Sequence, residues 1–115
     1  MKTIHVASAY VLDDLGGLHT LLTPLFSPGF STDTLWFAGT GLGILFLGFF
    51  NLAVIRASTR ATLNLCLAAN IIGTLCGILI VVAMHALQAF LALLAFLAAV
   101  LGVTYSIKSI PEETK

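Results

Sequence analysis

Four long runs of apolar residues, from about Ile4 to Phe26, Leu35 to Ile55, Ala61 to Ala83 and Ala86 to Ile107, alternate with short polar breaks. Each run is close to the ~20 residues that a helix needs to cross ~30 Å of hydrocarbon. The first break gathers Pro24, Ser27, Pro28, Gly29, Ser31 and Asp33, the second is Arg56-Ala57-Ser58-Thr59-Arg60, and the third is the tight Met84-His85. Pro111 and a polar tail through Lys115 close the last run. The pattern predicts an all-α, polytopic membrane protein: a four-transmembrane-helix, up-down bundle forming one integral-membrane domain over residues 1–115. Short connections make consecutive helices antiparallel neighbours. Lys2 ahead of a short apolar run, with Ala7-Ser8-Ala9 after it, has the outline of a signal peptide, but the run is short and is read as the start of a retained first span.

Composition agrees with this reading. Only 9% of residues are charged against 59% hydrophobic, and the mean hydropathy is +1.09. A soluble surface usually carries about 25% charged residues, so the chain is expected to be surrounded by the lipid bilayer. Zero net charge leaves no basic face for nucleic acid. Where the cations fall sets an orientation: Lys2, Arg56, Arg60, Lys108 and Lys115 lie at the N-terminus, in the second loop or near the C-terminus. Four spans put these regions on one side, so both termini are expected to be cytoplasmic, in a bacterial inner membrane or plasma membrane. Phe30, Trp36 and Phe37 then mark the outer interface and Tyr105 the inner one.

Small and polar residues mark the faces expected to meet inside the bundle, because helices in lipid associate through close packing and interhelical hydrogen bonds. On the fourth helix Gln88, Ala92, Ala95, Ala99, Gly102 and Ser106 form such a stripe; on the third, Cys66, Asn70, Gly73 and Gly77; on the second, Gly41, Gly48 and Asn51, with Gly39 and Gly43 adding a GxxxG spacing. The Gly39 to Gly43 run has no lysine after it and is read as packing, not as a phosphate loop. On the first helix, 100° per residue gathers Asp13, Gly16, Gly17, Thr20 and Thr23 in one arc, with His5, Ser8 and His19 at its edge and Asp14 about 100° from Asp13.

Asp13 and Asp14 carry the candidate chemistry. They stand near mid-span, and no apolar run contains a Lys or Arg to pair with them. Ionisable residues at that depth are expensive and functional by default; an unpaired carboxylate in an apolar site takes up a proton instead of staying charged. Asn70 falls at a similar depth, His19 ~7 Å outward and Asn51 ~9 Å inward, so a hydrogen bond from Asn70 to Asp13 and a relay through Asp13, Asp14, His19 and Asn70 are geometrically open. The alternative is that the aspartates are structural or wet.

Other chemistry is thin. No two histidines have a spacing that places both on one helix face, so no metal and no cofactor is expected. Cys66 and Cys76, about 15 Å apart on one helix, cannot form a disulfide. Asn51, Asn70 and Gln88 are read as interhelical glue, and no arrangement of an enzyme active site is present, so the chain is expected not to be an enzyme. Length, four predicted helices and an acidic residue in the first resemble the small multidrug resistance transporters, whose essential carboxylate is a Glu in that helix. The chain departs from that family in its helix-one motif, its aromatic pattern and its one-sided basic residues. The reading is a small accessory or interaction subunit that packs through Gly and Ala faces in a homo-oligomer or larger membrane complex. An oligomeric proton- or cation-coupled transporter or channel using Asp13 and Asp14 is the alternative.

Overall fold

The computed structural model describes residues 2–26 and 28–111, apart from the side chains of Phe26 and Met84. Ser27 of the first loop and Lys115 of the charge pattern therefore lie outside the described residues. Four helices follow one another: α1 (Lys2–Phe26), α2 (Thr32–Arg56), α3 (Arg60–Met84) and α4 (Leu87–Ser109). Pro24 sits inside the last turn of α1 and Asp33 in the first turn of α2, so the first loop is shorter than the run of turn residues predicts. Proline so near a helix end removes a single backbone hydrogen bond, and Asp33 complements the positive end of the α2 dipole.

Local chemistry sets the boundaries. The Ser31 side chain accepts from the backbone N–H of Thr34 at 3.2 Å and caps α2. Thr59 and Thr62 form a reciprocal capping box at the start of α3, with bonds of 3.1 and 2.9 Å. These contacts satisfy N–H groups that the first helical turn leaves open. His85 ends α3 with φ of 49°, the left-handed conformation that reverses the chain, and its N–H bonds to the Val81 carbonyl at 3.0 Å.

Three helices, α2, α3 and α4, are long and apolar enough to cross a membrane. Leu21, Leu79, Leu94 and Leu101 lie exposed on the outside, as suits hydrocarbon and not water. The chain is thus a helical membrane protein. α1 is as long, at 25 residues, but Asp13, Asp14, His5 and His19 dilute its apolar run below that standard.

Successive helices run antiparallel in a bundle of 56 × 24 × 22 Å. α1 packs most closely on α2 and also on α4, and α4 packs on α3, while α2 and α3 touch least among the neighbouring helices. One core cluster joins Leu12 of α1 to Ala92, Ala95 and Phe96 of α4; the other joins Val54, Leu63, Cys66 and Val103 near the second loop. Close approach depends on particular glycines. A Cβ on Gly16 would lie 2.7 Å from the Gly41 carbonyl oxygen, and one on Gly73 would lie 2.8 Å from the Phe96 ring. Gly48 lies against Asp13, Gly102 against His5, and Gly77 faces Leu93, while Ala95 and Ala99 are buried.

Two sequence expectations change. Nothing lies within 4 Å of a Cβ built on Gly39 or Gly43, so the GxxxG spacing makes no helix contact. Gly41 and Gly48, two turns apart and on one side, make it instead; residues two positions away point ~200° round the helix. On α1 the buried residues are His5, Ser8, Ala9, Leu12, Gly16 and Thr23. The inward face is therefore rotated by ~60° from the expected arc, toward His5 and Leu12. Gly17 has no neighbour within 4 Å.

Candidate functional site

Near the second-loop end of the bundle, four fully buried residues tie three helices together: His5 of α1, Asn51 of α2, and Cys66 and Asn70 of α3. Asn51 and Asn70 pair their amides reciprocally, with Nδ2 to Oδ1 distances of 3.1 and 2.9 Å. The Asn51 Oδ1 also accepts from His5 Nε2 at 2.8 Å and from the Cys66 thiol at 3.2 Å. The remaining amide hydrogens reach backbone carbonyls, Asn51 to Leu47 and Asn70 to Cys66, both at 2.8 Å. A buried polar network of this kind in an apolar interior rigidifies the helices it joins. The sequence puts His5 at the edge of the polar arc of α1; its spacing of seven from Leu12 is the signal that places it on the buried face.

Hydroxyl groups in the helices are satisfied locally. Thr20, Thr23, Thr74, Thr104 and Ser106 each donate to the carbonyl four residues back. Among the described residues, two buried side-chain atoms have no hydrogen-bond partner: Oδ1 of Asp13 and Nε2 of His19. Both belong to α1 at its contact with α2. The Asp13 carboxyl sits in the notch left by Gly48, and the His19 ring stacks on Phe37, centroids 3.8 Å apart at 21°. A Cβ on Gly41 would come within 3.0 Å of His19 Cδ2, so that glycine makes room for the imidazole.

The expected relay residues do not form one constellation. Asp13 faces α2, Asp14 is exposed on the outer face of α1, and Asn70 is engaged with Asn51 and Cys66. The Asp13 to Asn70 hydrogen bond is absent because Asn70 finds a closer amide partner. His19 is six residues from Asp13, ~9 Å along the helix.

Away from the amide network, toward the His85 end, α2 and α3 part and leave an open-sided cleft of about 740 Å³. α1 and α4 form its floor. Its wall includes Phe37, Gly43 and Ile44 of α2, Cys76 and Gly77 of α3, and Phe96 of α4, with His19 and Gln88 the principal polar side chains. Gly43 has open space where a side chain would stand. Gln88, read as glue, is exposed at this cleft. Thr40 apart, the rest of the lining is apolar, which suits a lipophilic body with a polar group near His19. Among the described residues no three His, Cys, Asp or Glu side chains gather to hold a metal ion.

No protein-family model, curated protein or solved structure matches the chain.

Proposed function

We propose that the chain is a four-span membrane protein, both termini cytoplasmic, that binds a lipophilic molecule in the cleft between α2 and α3. Support for a spanning α1 comes from its register on α2: His5 meets Asn51, Asp13 meets Gly48, Gly16 meets Leu45, and His19 meets Phe37. A helix laid along the whole of α2 shares its depth. Lys2, Arg56, Arg60 and Lys108 fall at one end of the bundle, and loops rich in Lys and Arg stay cytoplasmic. A bacterial inner membrane or plasma membrane suits this arrangement.

The binding reading rests on the parting of α2 and α3. Small-molecule sites occupy roughly 300 to 1,000 Å³, and an apolar cleft of about 740 Å³ at bilayer depth is filled laterally from the hydrocarbon. An amphiphile would place its apolar body against Ile44 and Phe96 and its polar group near His19 and Gln88. The test is native mass spectrometry of the purified protein after delipidation. The wild type retains a non-covalent lipophile, Gly43→Phe loses it, and Leu94→Phe, on the outer surface, keeps it. Equal retention by wild type and Gly43→Phe, or none by either, refutes the reading.

A second reading, the accessory or interaction subunit, is favoured by a different observation. The Gly and Ala faces are used within the chain, but Asp14 stands exposed on an apolar helix face.

A further inference from the structure

Asp14 is the central residue of α1, about 18 Å from either helix end. It is exposed, and its neighbours on that face, Tyr10, Val11, Leu18 and Leu21, are exposed too. Asp13 beside it is turned against Gly48 of α2. A spanning α1 therefore directs one carboxyl group straight into the hydrocarbon at mid-depth, where its charged form is strongly disfavoured.

Charge and depth restrict what covers it. No Lys or Arg lies between Lys2 and Arg56, or between Arg60 and Lys108. The chain has no cation of its own at that depth, and a second copy would bring a carboxyl to face a carboxyl, a pair that has to take up a proton and supplies no compensating positive charge. Lipid amines sit at the headgroup level, roughly 15 Å away across half of the ~30 Å hydrocarbon core. A basic side chain on another membrane-spanning helix meets all three restrictions.

We propose that the outer face of α1, centred on Asp14 and flanked by Tyr10, Val11, Leu18 and Leu21, binds a transmembrane helix of a different protein carrying one Lys or Arg at mid-depth. The carboxylate and the cation neutralise each other in the bilayer, and the flanking apolar side chains pack against the partner helix. This inference rests on the four-span reading and gives chemistry to the interaction-subunit reading.

The test uses the full chain in phosphatidylcholine vesicles and a labelled synthetic peptide of about 20 leucines with one central lysine, against an all-leucine control. Association is read by energy transfer. The lysine peptide binds about tenfold tighter than the control. Asp14→Asn removes that preference, and Asp13→Asn keeps it. Equal binding of the two peptides, or a preference that survives Asp14→Asn, overturns the proposal. So does Asp14-dependent self-association of the chain without lysine preference, which makes a second copy the occupant. A companion variant, Asp14→Cys in a Cys66→Ser, Cys76→Ser background, is treated with membrane-impermeant maleimide. Ready modification shows that α1 lies outside the bilayer and sinks the four-span reading; protection together with equal peptide binding sinks the partner inference alone.

Discussion

Adjacent glycines on α1 give different predictions. At Gly16, a methyl group would lie 2.7 Å from the Gly41 carbonyl oxygen and 2.8 Å from Leu45 Cα. Both are backbone atoms of α2, which cannot rotate aside. Carbon contacts are comfortable at roughly 3.5 to 4.0 Å, so the two axes must separate by about 1 Å. A gap of that order forfeits about a quarter to a half of each dispersion contact along the interface. Overpacking of this kind costs ~1 to 3 kcal/mol. At Gly17 nothing lies within 4 Å, and alanine replaces glycine in a helix interior with a gain of roughly 0.5 to 1 kcal/mol. The helix-propensity gain is common to both positions, so Gly16→Ala is expected to be less stable than Gly17→Ala by the overpacking cost, roughly 1 to 3 kcal/mol. Equilibrium unfolding of the purified protein in lipid bicelles, followed by helicity, measures the difference. Variants that agree within about 0.5 kcal/mol would refute backbone contact between α1 and α2 at this point.

Two further outcomes are expected. Asn51→Leu removes the acceptor shared by His5, Cys66 and Asn70 and lowers stability by about 2 to 3 kcal/mol, whereas Asn70→Leu leaves the His5 and Cys66 bonds intact and costs ~1 kcal/mol; the same unfolding measurement checks the order, and a reversed order contradicts the network. A small apolar maleimide in mild detergent modifies Cys76, which is exposed at the cleft, and spares Cys66, which is buried; intact-mass analysis should show a single adduct, and preferential modification of Cys66 would place the cleft elsewhere.

Helix positions were legible in the sequence because a membrane helix must satisfy its backbone within one long apolar run. The expected spans 35–55, 61–83 and 86–107 lie within two or three residues of α2, α3 and α4 at each end. Faces were less legible. Polar residues drew the predicted inward arc of α1 toward Asp13 and Gly17, while Leu12, an ordinary leucine by type, is fully buried and His5 beside it is held by Asn51. Depth counted from helix ends also misled. Asn51 lies five residues from the end of α2 and meets both Cys66, six from the start of α3, and Asn70, ten from it, so the paired amides reach diagonally across one helical turn between level helices. That reach is a joint property of two side chains with no local signature. The cleft was illegible for a related reason: it consists of contacts that α2 and α3 do not make, and Gly43 looks like any packing glycine until its neighbours are known.

The modest apolarity of α1 bears on how the protein is made. With two aspartates at its centre, α1 partitions weakly into lipid by itself, while α2 qualifies outright. Many of the contacts that hold α1, at Gly41, Gly48 and Asn51, belong to the next helix in the chain, while Gly102 and Ala92 of the later α4 supply others. On the proposed four-span reading, stable insertion of α1 is expected to depend on α2, the two entering the membrane together as a hairpin. A substitution at Gly41 or Gly48 is then as much a lesion of biogenesis as of the finished bundle, read out as inverted or untranslocated first segments in newly made chains.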